Sequence, residues 1–214
     1  MEGNMFKHFL PNLLATNISN LVVSENPQLV KSKDKIRYGL EWMISGMNQI
    51  VLVSLLVWPL GILPETMMGL LSGALLRMFS GGAHFKGYYS CLILSTLQII
   101  FLTLICVQYT DVLSSYKILF ILLLLISFLI TAQKAPILHK KKHLFTQKSI
   151  LKQKMKAVTT FILCTGLSVF LPQTIMYCVW SALIFQGLSL TDFWGKSVLI
   201  LDAFIYKITL KGLH

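Results

Sequence analysis

A chain of 214 residues that is 55% hydrophobic, 13% charged and +0.71 in mean hydropathy carries more apolar surface than a soluble globule of its size can bury. Its formal net charge of +11 would suggest nucleic acid in a soluble protein, but in so apolar a chain the excess of basic residues on the inner side of a membrane accounts for the same charge, and no nucleic-acid partner is expected. The composition thus excludes a soluble domain and points to an all-α integral membrane protein, a single membrane-embedded domain over residues 1–214.

In chain order, Phe6, Phe9, Leu10, Leu13, Leu14, Ile18, Leu21 and Val22 recur at spacings of three and four, which predicts an amphipathic helix. There is no short apolar core followed by a small-residue cleavage site, so region 1–36 is expected to lie on the membrane surface and not to be removed as a signal peptide. Asn26-Pro27 breaks the helix, and Lys31, Lys33, Lys35 and Arg37 lead into the bundle.

About six transmembrane helices are expected within residues 43–190: Met43–Trp58, Leu63–Leu76, Tyr89–Tyr109, Ile118–Ala132, Ala157–Leu171 and Ile175–Leu190. The second is the weakest, at about 14 residues against the roughly 20 of a full crossing, and it contains Gly69 and Gly73. It reads either as a short, tilted crossing or as a re-entrant segment. Residues 191–214 form a tail in which Phe193, Trp194, Val198, Leu199, Leu201 and Ile205 suit a second interfacial helix, while Lys196 and Asp202 argue against a seventh span.

With six spans, eighteen of the nineteen lysines and arginines fall on one side of the membrane, and Lys117 alone on the other. That asymmetry puts both termini and the loop after the second span on the cytoplasmic side. Cys106, Cys164 and Cys178 lie inside apolar runs without ligand-like spacing and read as small packed hydrophobes.

Cys91 differs, because its surroundings are polar and glycine-rich: Arg77, Gly81, Gly82, His84, Lys86 and Gly87 all precede it within fourteen residues. A cysteine attacks as its thiolate and needs a base or a positive field nearby, and histidine is the usual base. On one continuous helix His84 and Cys91 would be about 10.5 Å apart in rise, too far for a hydrogen bond. A working pair therefore requires a break, for which Gly81, Gly82 and Gly87 supply backbone freedom. Cys91 then falls in the first turns of the third span, where the helix dipole and the terminal amides favour a thiolate and an oxyanion. Arg77 either holds a substrate carboxylate or only marks the cytoplasmic end of the second span. Glu41 either orients His84 through its second ring nitrogen or pairs with Arg37 at the interface.

The block Arg77-x4-Gly82-x-His84-x6-Cys91 resembles the accessory gene regulator B family of membrane cysteine endopeptidases, which mature a bacterial quorum-sensing peptide. Two weaker matches accompany it. Arg37-Tyr38-Gly39-Leu40-Glu41 is similar to the family's segment before the first span, where some members carry glutamine in place of the acid. Ala135-Pro136 followed by Lys140-Lys141-Lys142 is similar to its central basic loop.

The resemblance implies a cell-membrane thiol protease with Cys91 as nucleophile and His84 as base and acid. Its substrate would be a precursor peptide with an amphipathic leader, a central segment and an acidic tail. The tail would be cut off, and a thioester on Cys91 would pass to the substrate's own cysteine or serine, closing a ring. No cofactor or metal is implied, a homodimer is, and Lys140, Lys141 and Lys142 either attract the acidic tail or serve only to set topology.

Two other classes compete. A small peptide transporter would be expected to show paired halves and ionisable groups within its spans, and neither is evident. A metalloenzyme would need more than His139 and His143, since the lysines between them repel a divalent ion and no glutamate supplies a base.

Overall fold

The computed structural model describes residues 11–83, 85, 87–137 and 147–211, with side chains in the last helix through Phe204. Every regular element among them is helical. They are α1 (Pro11–Glu25), α2 (Lys33–Val57), α3 (Leu63–Ser80), α4 (Tyr88–Gln108), the short α5 (Thr110–Ser115), α6 (Lys117–Lys134), α7 (Gln147–Ser168), α8 (Gln173–Ser189) and α9 (Asp192–Lys211), with 3-10 turns at Pro27–Ser32 and Trp58–Leu60.

The breaks follow from local chemistry. α1 stops at Glu25, one residue before Asn26-Pro27, and Pro27 opens a 3-10 turn where its missing N–H is not needed. Gly61, at φ +67, ends the turn after α2 in the left-handed conformation that glycine adopts without a Cβ clash. Pro64 sits in the first turn of α3.

Each expected apolar segment coincides with a helix, but several helices run longer. α3 continues through Arg77 to Ser80 and covers 18 residues, because nothing before Gly81 interrupts it. α7 begins at Gln147, ten residues before its apolar half, through a stretch rich in lysine that forms helix well without being apolar. The described part of the N-terminal amphipathic segment is α1, and the stretch Lys140-Lys141-Lys142 with His139 and His143 lies outside the described residues.

Among the described residues three helical stretches are long and apolar enough to cross a membrane: Pro27–Leu60, Tyr88–Gln108 and Lys117–Lys134. α8 and α9, bent by 83° at their junction, make a fourth if taken together. The other expected spans fall short for physical reasons. α3 is diluted by Glu65, Arg77, serines and glycines, and half of α7 is basic. α8 has 17 residues, about 25 Å at 1.5 Å per residue, against about 30 Å of hydrocarbon.

The chain divides into two compact units, residues 1–55 and 56–214. In the first, Arg37 of α2 donates from Nη1 to Asn12 Oδ1 of α1 at 3.2 Å, and Ala15 and Ser19 are fully buried.

In the second unit α8 is the hub, packed by α3, α4, α6 and α7. Small residues let the backbones approach, as they must where lipid is as apolar as the helix interface and close van der Waals contact drives association. A Cβ on Gly69 would lie 3.3 Å from the Cys178 carbonyl oxygen, and one on Gly73 3.6 Å from Ala182 Cβ. Opposite, Gly187 lies directly against Ser127 of α6, whose hydroxyl donates to Leu183 O at 2.9 Å.

Trp180 Nε1 donates to Ser168 Oγ at 2.9 Å, and the fully buried Tyr177 ring stacks edge-on with Phe120 and Trp180. The expectation for the three other cysteines holds for Cys106 and Cys178, which are buried, while Cys164 is half-buried against the same core. Facing outward are large apolar side chains such as Ile118 and Phe170, at 77% and 88% exposure, a surface suited to lipid.

At the α8–α9 bend, Phe185 and Trp194 stack edge-on at 4.7 Å, and Lys134 Nζ donates to Asp192 Oδ2 at 2.8 Å. That bond and the lysine charge hold the Asp192 carboxyl below its ordinary range. The carboxylate is fully exposed, so the pair fixes direction more than it stabilises.

Gly187→Ala is expected to force the α6–α8 contact apart and to cost about 1–3 kcal/mol. Gly166→Ala, which meets open space on α7, is expected to be neutral or slightly stabilising. Thermal unfolding of the two variants in detergent is the comparison; equal midpoints would contradict the packing described.

Candidate functional site

A helix break stands where the expected pairing of His84 with Cys91 requires one. α3 ends at Ser80 and α4 begins at Tyr88, so the segment between them turns the chain back. Gly81 has φ +70 and ψ −149, and Gly82 has φ +142. Both values strain any residue with a Cβ.

Space is closed as well: a Cβ on Gly81 would lie 2.7 Å from the Ile137 carbonyl oxygen, and one on Gly82 2.8 Å from Ser189 Oγ. Gly87 corrects the expectation. Its φ of −82 and ψ of 130 are extended backbone open to other residues, and it serves as the N-cap of α4.

Cys91 is the fourth residue of α4 and half-buried. Its amide donates to Gly87 O at 3.0 Å and opens the helical ladder. The Cys91 N–H is thus committed to the helix and is not a donor for an oxyanion. The positive end of the α4 dipole still lies at the sulfur.

Arg77, in the last turn of α3, reaches across the turn and donates from Nη2 to Ala83 O at 2.6 Å. Burial disfavours its charge and the neighbouring Cys91 sulfur favours it. Arg77 therefore ties the turn, a role distinct from the two the sequence left open.

His84 and Lys86 lie outside the described residues. Glu41 is on α2, within residues 1–55. Among the described residues Arg37 pairs with Asp34 at 3.9 Å and not with Glu41, because Asp34 stands one turn earlier on the same helix face.

Sequence reasoning missed what holds the turn from the other side. Gln186 of α8 donates from Nε2 to Gly81 O at 2.7 Å and to Ser80 Oγ at 3.0 Å. The Ala83 amide donates to Ser189 O at 3.3 Å, and the Ile137 amide to Ser80 O at 2.9 Å. The signal was a lone side-chain amide in the apolar run from Ile175 to Leu190.

The family model for accessory gene regulator B matches residues 15–190. The chain belongs to the accessory gene regulator B family. It is also 27% identical, over 157 residues, to a putative AgrB-like protein of Clostridium beijerinckii, a match that covers 72% of this chain and 77% of that one. No solved structure matches the chain. In this accessory gene regulator B protein the family match runs from within α1 to just past the end of α8, so it contains the whole Arg77–Cys91 turn and excludes α9.

Gly81→Ala should cost about 1–3 kcal/mol from its glycine-only backbone conformation alone, with the Ile137 carbonyl adding to it. Gly87→Ala should be tolerated, since the group nearest its new methyl is the rotatable Ser90 hydroxyl at 3.2 Å. The check is the amount of folded protein in the membrane and its thermal midpoint; a stable Gly81→Ala beside an unstable Gly87→Ala would reverse the assignment of the two glycines.

Proposed function

We propose that this protein is a membrane-embedded cysteine endopeptidase that removes the C-terminal tail of a quorum-sensing precursor peptide and closes the remainder into a ring. The observation that carries the reading is the placement of Cys91 in the first turn of α4, behind a glycine turn that Arg77 ties at the end of α3. Family membership supplies the reaction class.

In the proposed reaction His84 takes the Cys91 proton, and the thiolate adds to the carbonyl that ends the central segment of the precursor. The tetrahedral intermediate collapses, the C–N bond breaks, and the acidic tail leaves as an amine protonated by His84. The precursor's own thiol, or a serine hydroxyl, gives its proton to His84 and adds to the Cys91 thioester. Collapse breaks the C–S bond to Cys91, whose sulfur takes the proton back from His84, and leaves a thiolactone or lactone. No water is consumed. Exchange between two thioesters is close to thermoneutral, so the ring competes only if hydrolysis is slow, and a site at the membrane boundary keeps water sparse. Glu41 is proposed to orient His84, and Lys140, Lys141 and Lys142 to attract the acidic tail.

The proposed topology has six spans, with both termini and the reactive turn on the cytoplasmic side of the cell membrane. It is supported by the distribution of eighteen of nineteen basic residues. It requires α3, α7 and α8 to cross as short helices sheltered by their neighbours, in one domain over the whole chain. A homodimer is part of the proposal by family resemblance.

Membrane vesicles carrying the protein should release the tail from a synthetic precursor with an amphipathic leader, a central cysteine and an acidic tail. Cys91→Ala and His84→Ala should abolish release while leaving the protein in the membrane, and a thiol alkylating agent should inactivate the wild type. Tail release undiminished in Cys91→Ala would refute the reading.

A further inference from the structure

Gln186 stands at an unusual place. Its side chain is 5% exposed on a helix otherwise lined with apolar groups, where a buried amide without partners would be costly. Its partners are all in one turn. Gly81 O is a carbonyl and can only accept, so the group facing it at 2.7 Å is the NH2 end, and the second N–H is spent on Ser80 Oγ at 3.0 Å.

Ser80 Oγ itself lies 3.2 Å from the same Gly81 oxygen and donates to it. One helical turn's length further along α8, Ser189 accepts the Ala83 amide and its hydroxyl fills the space beside Gly82. Arg77 then closes the other side of Ala83 at 2.6 Å. At the C-terminus of α3, where carbonyls lack partners within the helix, the Ser80 carbonyl takes the Ile137 amide, and the Gly81 carbonyl just beyond is met from a separate helix by a side chain with donors where its neighbours are apolar.

We propose that Gln186 is a positioning residue for this thiol protease: its amide pins the Ser80 hydroxyl and the Gly81 carbonyl, fixing the end of α3 from which the chain turns towards Cys91. The inference rests on the proposed function. It adds a role for α8, which contributes nothing to the reacting atoms but sets their register. A misplacement of about 1 Å in a catalytic group is enough to cost on the order of 100-fold in rate, whereas loss of one buried packing contact lowers the amount of folded protein without altering turnover per folded molecule.

The test uses the full chain in vesicles with two variants. Gln186→Met keeps the length and volume and removes both donors; Ser80→Ala removes one acceptor from the opposite side of the same bond. Two quantities are read per folded molecule: kcat and KM for tail release, and the rate at which Cys91 alone reacts with iodoacetamide in a background where Cys106, Cys164 and Cys178 are serine or alanine.

Gln186→Met is expected to lose about 10- to 100-fold in kcat with KM within about twofold, and to slow Cys91 alkylation at least threefold. Ser80→Ala is expected to show the same pattern at a smaller size. Wild-type kcat and alkylation in folded Gln186→Met overturn the proposal. If Gln186→Met does not fold, wild-type kcat and alkylation in Ser80→Ala overturn it in its place. If the wild type releases no tail, the proposed function fails, but the alkylation rates still decide whether Gln186 sets the environment of the sulfur.

Discussion

The near-contact of two helix backbones, α3 and α8, is the constraint from which the rest of the second unit follows. Gly69 and Gly73 have no side chain because the Cys178 carbonyl and the Ala182 methyl already occupy the space. With those backbones together, the end of α3 comes level with the last turn of α8, and Gln186 and Ser189 reach the carbonyls and amides that the α3 terminus exposes. Larger residues at the two glycines would separate the helices and move the Gln186 donors and the Ser189 acceptor beyond hydrogen-bond range. The polar order around the turn therefore depends on apolar packing some two to three turns away.

The same arrangement explains how an arginine is accommodated at the end of a helix surrounded by apolar neighbours. Arg77 is half-buried, and a cation there is costly unless it is paired or bonded. It bonds the Ala83 carbonyl and sits within the field of the Cys91 sulfur. The bond that ties the turn is thus also what accommodates the buried cation.

Much of this was legible in the sequence. The break between Gly81 and Tyr88 was demanded by the expected pairing of His84 with Cys91 and signalled by the glycines, and the break at Asn26-Pro27 by proline. Helix ends were harder. Lysines before Ala157 prolong α7 without adding hydrophobicity, so an apolar window sees only the second half. The crossing count was read from apolar runs, which register α3 and α8 although neither is both long and apolar enough on its own. Gln186 escaped notice because a neutral amide carries no charge or metal-ligand pattern; only the fold reveals that its partners lie 105 residues away at Gly81. Gly87 was grouped with its neighbours by composition, but glycine's presence does not reveal which φ the chain adopts.

The shortness of α8 has a consequence beyond the count of crossings. Were α8 to cross alone, as the proposed topology requires, a rod about 25 Å long in about 30 Å of hydrocarbon would leave a mismatch for the surrounding lipid to absorb by thinning, or for helix ends held below the headgroups. The turn that leads into α4 hangs from one of those ends, through Ser189 and Gln186. In that topology acyl-chain length in the host membrane sets how deep the turn, and Cys91 behind it, would ride.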